Sequence, residues 1–294
     1  MFLRKRTVQN TTFECILLEM ATEFDDHSSQ FDHICEGIGP DGDYSMMYSI
    51  DDNNGKIVDE LGEQGLDVMH HSGRYKITMT NVIVDLEPVI TTTPSTEIII
   101  EDLGEQRFRR LDAVTGTRSM VIFRVTTNDG PPAYSAASLA DSFFGIDGNP
   151  NNMKSRYAAC SMNKLTFNPG TGNDFDNGVH DLSISNTSAG TNVHDLVRSI
   201  TKAVIAKFGS SLERTYNHVV YVLPHGTTTR GVGTDRWTAF AYINSYLSVY
   251  NDEAVMSISN QVHETGHNLG LMHSSHAGEA YGDQSGFMGY GYRQ

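Results

Sequence analysis

The first third of the chain is patterned for β-structure. Apolar and polar residues alternate at 12–19 and 75–86, and a β-branched run occupies 96–100. A period of two residues indicates a strand with one buried face. Turn-forming residues at 39–42 and 53–55 separate these segments, and no long amphipathic helix pattern precedes residue 110. The first 110 residues are therefore predicted to form a β-rich domain.

From about residue 115 onward, predicted strands alternate with predicted helices. Residues 119–126 form an apolar run typical of a buried strand, and 193–208 carry apolar residues at helical spacing, closed by Gly209. Further predicted elements are a short helix at 136–144, strands at 218–223 and 239–249, and a helix at 252–269. This alternation predicts a second domain, 111–294, of the α/β (α+β) class.

A basic tetrapeptide separates the two predicted domains. Arg107-Phe108-Arg109-Arg110 has the R-x-R-R form that furin-like processing proteases cleave in exposed loops. One interpretation is a prosegment, 1–110, that a processing protease removes by cutting after Arg110. The other is a solvated basic turn between strands. Both interpretations stay open at the level of sequence.

Charge and hydrophobicity exclude several classes of function. Thirty-six acidic residues against 21 basic ones give a formal charge of -15, which repels nucleic acids and anionic membrane surfaces. Nucleic acid is not an expected partner. No apolar run reaches the roughly 18 residues of a transmembrane helix. Polar residues between Gln9 and Glu14 interrupt the only stretch that could serve as a signal peptide, so none is predicted.

Residues 263–273 carry a metal-binding pattern, H-E-x-x-H-x-x-G-x-x-H. His263 and His267 are four residues apart, so on a helix both imidazoles lie on one face and reach one cation. Gly270 can adopt the left-handed conformation that ends a helix, which allows His273 to return as the third ligand. Three imidazoles leave zinc an open position, as a catalytic site requires.

Glu264 directly follows the first ligand and is predicted to be the general base that takes a proton from water. A structural zinc site needs no base and usually closes with four protein ligands, so Glu264 favours catalysis. A chance match to the whole pattern in a chain of this composition has a probability of about 10⁻⁴. Scattered histidines in an ordinary amphipathic helix are therefore set aside.

A methionine follows the pattern at the spacing of a Met-turn. Met288 lies 15 residues after His273. In such a turn the methionine packs beneath the ligand imidazoles and restricts their orientation. Met288 is therefore predicted to line the metal site.

These features resemble the gametolysin family of metzincin peptidases. The similarity rests on the histidine motif, a Tyr-Gly-Asp-x-Ser spacer at 281–285, a Met-Gly-Tyr turn at 288–290, and segments at 157–161 and 219–221. It implies a metzincin-like catalytic domain with a mixed twisted sheet and an active-site helix, preceded by a β-rich prodomain. It also implies a secreted or cell-surface zinc endopeptidase that acts on extracellular matrix or cell-wall glycoproteins.

Three further expectations concern Tyr290, the end of the chain and the cysteines. Tyr290 stands two residues after Met288, where some metzincins place a tyrosine that ligates zinc or stabilises the oxyanion; the alternative is a wall residue of the substrate cleft. Metzincins continue past this point into a C-terminal helix, so the catalytic domain is expected to be truncated. Cys15 or Cys35 is expected to be a buried structural thiol, with a thiolate cap on the metal of the precursor as the alternative.

Two other functions remain as alternatives. The first is a non-catalytic adhesion or binding ectodomain that keeps zinc only for stability. The second is an intracellular zinc peptidase without processing, which would agree with the missing signal peptide.

Overall fold

The computed structural model describes residues 8–25, 28–38, 45–52, 55–66, 72–84, 89–103, 114–172, 174–209, 212, 215–229, 237–276, 281–283 and 285–289. The chain divides into two compact units. One consists of residues 1–20 and 31–110, and the other of residues 21–30 and 111–294. The tetrapeptide at 107–110 lies outside the described residues, so cleavage there stays a prediction.

The first unit is built mainly from strands. Its elements are β1 (Val8–Phe24), β2 (Ser29–Ile38), β3 (Ser45–Asp51), α1 (Lys56–Glu63), β4 (Tyr75–Val84), β5 (Val89–Thr91) and β6 (Glu97–Asp102). The strands pair in the order β6-β4-β5-β3-β2-β1, and β1 also pairs antiparallel with β4. Five strands, β1 to β5, thus form a closed ring of pairings. The last residues of β1 and the first residues of β2, within 21–30, belong to the second unit.

A disulfide joins the two strands on either side of that segment. It links Cys15 of β1 to Cys35 of β2, and both residues are buried. The prediction of a free structural thiol at these positions is therefore wrong, although the expected burial is confirmed. Neighbouring strands bring the two Cα atoms to 5.4 Å, within bridging range, and a linear sequence does not reveal that proximity. Cys160 is exposed and unpaired.

The second unit is a mixed sheet with helices. Its elements are β7 (Gly116–Thr126), α2 (Ala136–Phe144), α3 (Met153–Cys160), β8 (Leu165–Pro169), β9 (Val179–Ser183), α4 (Val193–Phe208), β10 (His218–Leu223), β11 (Trp237–Tyr242), β12 (Leu247–Asn251), a 3-10 helix (Asp252–Met256) and α5 (Ile258–Asn268). The strands follow the order β11-β12-β10-β7-β8, with β9 also beside β7. All these pairings are parallel except that of β11 with β12.

One apolar core in this unit supports the helix that bears the histidine motif. It combines residues of the central strands with residues of α2, α3 and α5, including Phe143, Tyr157, Val220, Tyr250 and Val262. Strand β10 is buried at every position, as expected for a central parallel strand covered on both faces. No helix in the described part of the chain is long and apolar enough to cross a membrane.

The structure confirms three predicted elements to the residue and corrects two others. Helix α2 spans Ala136–Phe144, α4 spans Val193–Phe208 and β10 spans His218–Leu223, as predicted. The single strand predicted at 239–249 is wrong, because β11 and β12 form an antiparallel pair around a turn in which Asn244 has a φ of 54°. The helix predicted at 252–269 is divided, since a 3-10 helix precedes α5.

Candidate metal centre and active site

Buried hydrogen bonds fasten α5 to the rest of the second unit. The Asn268 side chain donates to the carbonyls of Tyr242 and Leu247, at 3.0 and 2.9 Å, and so ties the end of the helix to β11 and β12. The Tyr157 hydroxyl donates to the Val262 carbonyl at 2.8 Å. Burial raises the pKa of Tyr157 well above its usual value, so the hydroxyl stays protonated and able to donate. The helix is thus held at both its middle and its end.

The sharp turn after α5 is a Schellman motif. Leu271 donates its N–H to the Gly266 carbonyl at 2.9 Å, and Gly270 donates to the His267 carbonyl at 2.8 Å. Gly270 has a φ of +88°, the left-handed conformation that this motif requires. The turn places the Leu271 carbonyl 2.8 Å from Nδ1 of His267. The helix terminus therefore supplies the acceptor that orients one of the predicted ligands.

Substitution of Gly270 by alanine is expected to destabilise the protein and to weaken metal binding. A Cβ atom in the left-handed region costs roughly 1–2 kcal/mol. Any shift of the Leu271 carbonyl also releases His267, and loss of such orienting contacts typically lowers metal affinity by about 10- to 100-fold. Denaturant unfolding and zinc competition titration measure the two effects.

Gly209 offers a matched control for this substitution. It ends α4 with a φ of +74°, and a Cβ atom added there would meet nothing within 4 Å. Gly209→Ala should carry a similar stability cost with unchanged zinc affinity. Equal loss of zinc affinity in both variants would show that the effect is general and not due to the turn.

The three predicted ligands converge on one point. Nε2 of His267 lies 3.0 Å from Nε2 of His263 and 3.1 Å from Nε2 of His273. Two atoms that share one zinc at about 2.0–2.2 Å are at most about 4.4 Å apart, so both separations fit a single ion. Burial is the main factor that lowers the pKa of His267 to about 4. This imidazole is therefore neutral near pH 7, the form that binds metal.

The segment around Met288 contacts the ligand helix and orients a second histidine. The Phe287 carbonyl lies 2.7 Å from Nδ1 of His263, and the Met288 carbonyl accepts from the Ser274 N–H at 2.8 Å. A Cβ atom at Gly266 would lie 2.4 Å from Sδ of Met288, so the thioether packs against the bare backbone of α5. The predicted place of Met288 beside the motif thus has a physical basis, namely a glycine that leaves room for it.

Glu264 is buried with an unsatisfied carboxylate oxygen. It is 1% exposed, and its Oε2 atom has no hydrogen-bond partner among the described residues. Burial, followed by the negative charge of Glu23, raises the pKa of Glu264 well above its usual value. A buried polar atom without a partner costs about 1–3 kcal/mol. Buried polar atoms without a partner are typical of groups that bind a substrate, a water or an ion.

A fourth residue joins the histidines, and sequence reasoning missed it. Glu23, in the segment of β1 that belongs to the second unit, places Oε1 at 2.8 Å from Nε2 of His273 and 3.4 Å from Nε2 of His263. Burial opposes the charged form, but interactions with the three neighbouring imidazoles outweigh it and lower the pKa of Glu23. A lone glutamate 240 positions before the motif carries no local signal of this role.

A tyrosine also borders the cluster. The Tyr281 hydroxyl donates to Oε2 of Glu23 and lies 3.2 Å from Nε2 of His273. Its ring centroid is 4.3 Å from that of His273. Tyr290, the tyrosine predicted beside the metal, lies outside the described residues, so its role stays a prediction.

Comparison with known proteins decides the family. The profile of the gametolysin peptidase M11 family matches residues 119–293, which include every histidine of the cluster. The chain belongs to this family. The predicted family membership is thereby confirmed. Searches of the curated proteins and of the solved structures found no match.

Membership of the gametolysin family makes this chain a peptidase, whose substrates are proteins. Its cluster of Glu23, His263, His267 and His273 has four donor atoms within 4.8 Å of one another and can hold a metal ion. Carbonyl oxygens only accept, so the Nδ1 atoms of His263 and His267 carry the protons. Their Nε2 lone pairs then face each other at 3.0 Å, a repulsion that a bound cation would relieve.

Proposed function

We propose that this chain is a zinc-dependent endopeptidase, with zinc held by His263, His267 and His273 and with Glu264 as the general base. The observation that carries the proposal is the convergence of three Nε2 atoms together with Glu264, a residue of the same helix as His263 and His267 whose buried Oε2 atom has no hydrogen-bond partner among the described residues. Three imidazole donors favour zinc over calcium and magnesium, which prefer oxygen ligands. The gametolysin family supplies the peptidase class.

The roles of the protein groups follow from their positions. Zinc, when bound, supplies a Lewis acid that polarises the scissile carbonyl and makes water a stronger nucleophile at neutral pH. Glu264 takes the proton that the attacking water loses and delivers it to the leaving amine, so that water and peptide yield a carboxylate and an amine. The Phe287 and Leu271 carbonyls keep Nδ1 of His263 and His267 protonated, which directs both Nε2 atoms to the metal. Met288 packs against this arrangement.

We also propose that residues 1–110 are a prosegment removed by cleavage after Arg110, and that the mature enzyme acts outside the cell on matrix or cell-wall glycoproteins. The family resemblance suggests the substrate class. The Cys15–Cys35 disulfide supports an oxidising, extracytoplasmic compartment. A metzincin-like arrangement of the catalytic domain agrees with the mixed sheet and with α5 as the active-site helix.

A zinc-stabilised binding ectodomain is the second candidate, because Glu23 offers the fourth protein ligand that structural zinc sites have. The presence of Glu264 favours the peptidase over the binding ectodomain. A purely structural site gains nothing from a second buried carboxylate with an unpartnered oxygen.

Zinc removal tests the proposed function. The full chain, cut after Arg110 by a furin-type protease, is incubated with an unstructured protein substrate before and after dialysis against a zinc chelator. About one zinc per chain is expected, with cleavage lost on chelation and restored by added zinc. A cut chain that binds zinc but cleaves no substrate in a broad peptide library would favour the binding ectodomain.

A further inference from the structure

Glu23 places a carboxylate oxygen close to all three histidines of the cluster. Its Oε1 atom is 2.8, 3.4 and 3.9 Å from Nε2 of His273, His263 and His267. Each separation is below the limit of about 4.4 Å for two donors on one zinc. The side chain is only 14% exposed, so the carboxylate is directed inward and is not a solvated surface charge.

Local contacts hold the Glu23 carboxylate in this position. Oε1 is directed at the imidazoles, and Oε2 accepts from the Tyr281 hydroxyl. Two residues later, Asp25 accepts from the Thr238 hydroxyl of β11 at 2.9 Å, and the Phe24 N–H bonds to the Ser28 carbonyl at 3.1 Å. Both carboxylate oxygens of Glu23 therefore have partners, and the neighbouring residues Phe24 and Asp25 are held by hydrogen bonds of their own.

The donor set completes a coordination shell. Three imidazole nitrogens leave zinc one open position in its usual tetrahedral geometry. A carboxylate oxygen within the same small volume fills that position. An uncompensated carboxylate facing the Nε2 lone pairs of His263 and His267 would be repelled, whereas a divalent cation at the centre attracts all four donors.

We propose that Glu23 is the fourth zinc ligand of the uncleaved chain and that it keeps the peptidase latent by excluding the attacking water. The latency part of this inference rests on the proposed peptidase function. The assignment of Glu23 as a ligand does not. The only described cysteine that is not in a disulfide is Cys160, which is exposed. Neither Cys15 nor Cys35 is therefore available as a thiolate cap, the alternative that the sequence left open.

The order of residues along the chain explains how cleavage would release this block. Glu23 precedes Arg110, and the three histidines follow it. In the intact chain the carboxylate is tethered, with an effective local concentration on the order of millimolar or more. After a cut at Arg110, the segment that bears Glu23 is no longer covalently joined to the histidines. Its dissociation is then favoured by dilution.

The test compares Glu23→Gln with Asp25→Asn in the uncleaved full chain. Asp25 lies in the same segment, and asparagine keeps an acceptor for Thr238. Zinc affinity is measured by competition with a chromophoric chelator, and the ligand set by the visible absorption of the cobalt-substituted protein. Glu23→Gln should raise the zinc dissociation constant at least about tenfold and change the cobalt spectrum. Asp25→Asn should change neither.

A second variant guards against misfolding of the first. Glu23→Asp keeps the charge but withdraws the carboxylate by one methylene, so it should also weaken zinc binding. Wild-type affinity and an unchanged cobalt spectrum in both Glu23 variants would overturn the ligand assignment. The uncleaved Glu23→Gln chain, loaded with zinc, should hydrolyse protein substrate when the uncleaved wild type does not. If the Glu23 variants bind zinc more weakly but neither the cut nor the uncut chain is active, the assignment of Glu23 as a ligand stands. Both the latency and the peptidase function are then rejected.

Discussion

Replacement of Glu264 by glutamine is expected to lower peptide hydrolysis by about 10²- to 10⁴-fold while zinc stays bound. Glutamine preserves the size of the side chain but cannot accept the proton of the attacking water. The variant should therefore keep about one zinc per chain and near-native stability. The measurement is kcat/KM for an unstructured protein substrate, combined with metal content by atomic spectroscopy, on chains cut after Arg110.

His267→Ala provides the contrast for this experiment. His267 is fully buried, and its Nε2 atom lies within 3.1 Å of both other ligand nitrogens. Its loss should remove zinc and activity together. His180→Ala, which also removes a buried histidine of the second unit, should retain zinc. If Glu264→Gln cleaves substrate as fast as the wild type, the proposed base is wrong.

Arg110→Ala is expected to leave the chain uncut and without measurable peptidase activity. Furin-like enzymes require the arginine on the amino side of the cut, so the prosegment would stay attached with Glu23 tethered to the metal. The processed wild-type protein should begin at Leu111, whereas the variant should keep its original N-terminus. N-terminal sequencing and the same substrate assay give the two results.

Phe108→Ala serves as the matched control, because it alters the variable position of the R-x-R-R sequence. It should be cut and active. The double variant Arg110→Ala with Glu23→Gln separates cleavage from the block itself, since it should be uncut yet active. Full activity in uncut Arg110→Ala alone would show that cleavage does not control this enzyme.

Features with a local physical cause were predictable from the sequence. The apolar period of α4 and its terminal Gly209 define a helix that matches the structure to the residue. The same applies to β10, whose apolar run matches a strand buried at every position. The Asn244 turn between β11 and β12 was missed because its only signal is the short pair Asn244-Ser245 between two apolar segments.

The supporting contacts of the histidines were not predictable in the same way. Backbone carbonyls have no residue identity, so nothing in the sequence marks Leu271 or Phe287 as the acceptors for His267 and His263. The disulfide between Cys15 and Cys35 likewise depends on which strands become neighbours. Each of these contacts forms only after the chain has folded.

The sequence by itself determined the family, the three histidines, Glu264 and the turn at Gly270, because these residues lie within 11 consecutive positions and helical periodicity relates them. Only the tertiary structure decided that Glu23 and Tyr281 complete the cluster. Glu23 reaches His273 across 250 positions, and that approach depends on long-range packing that no spacing rule encodes. The chemistry of the site is therefore local in the sequence, whereas its proposed control is a property of the folded chain.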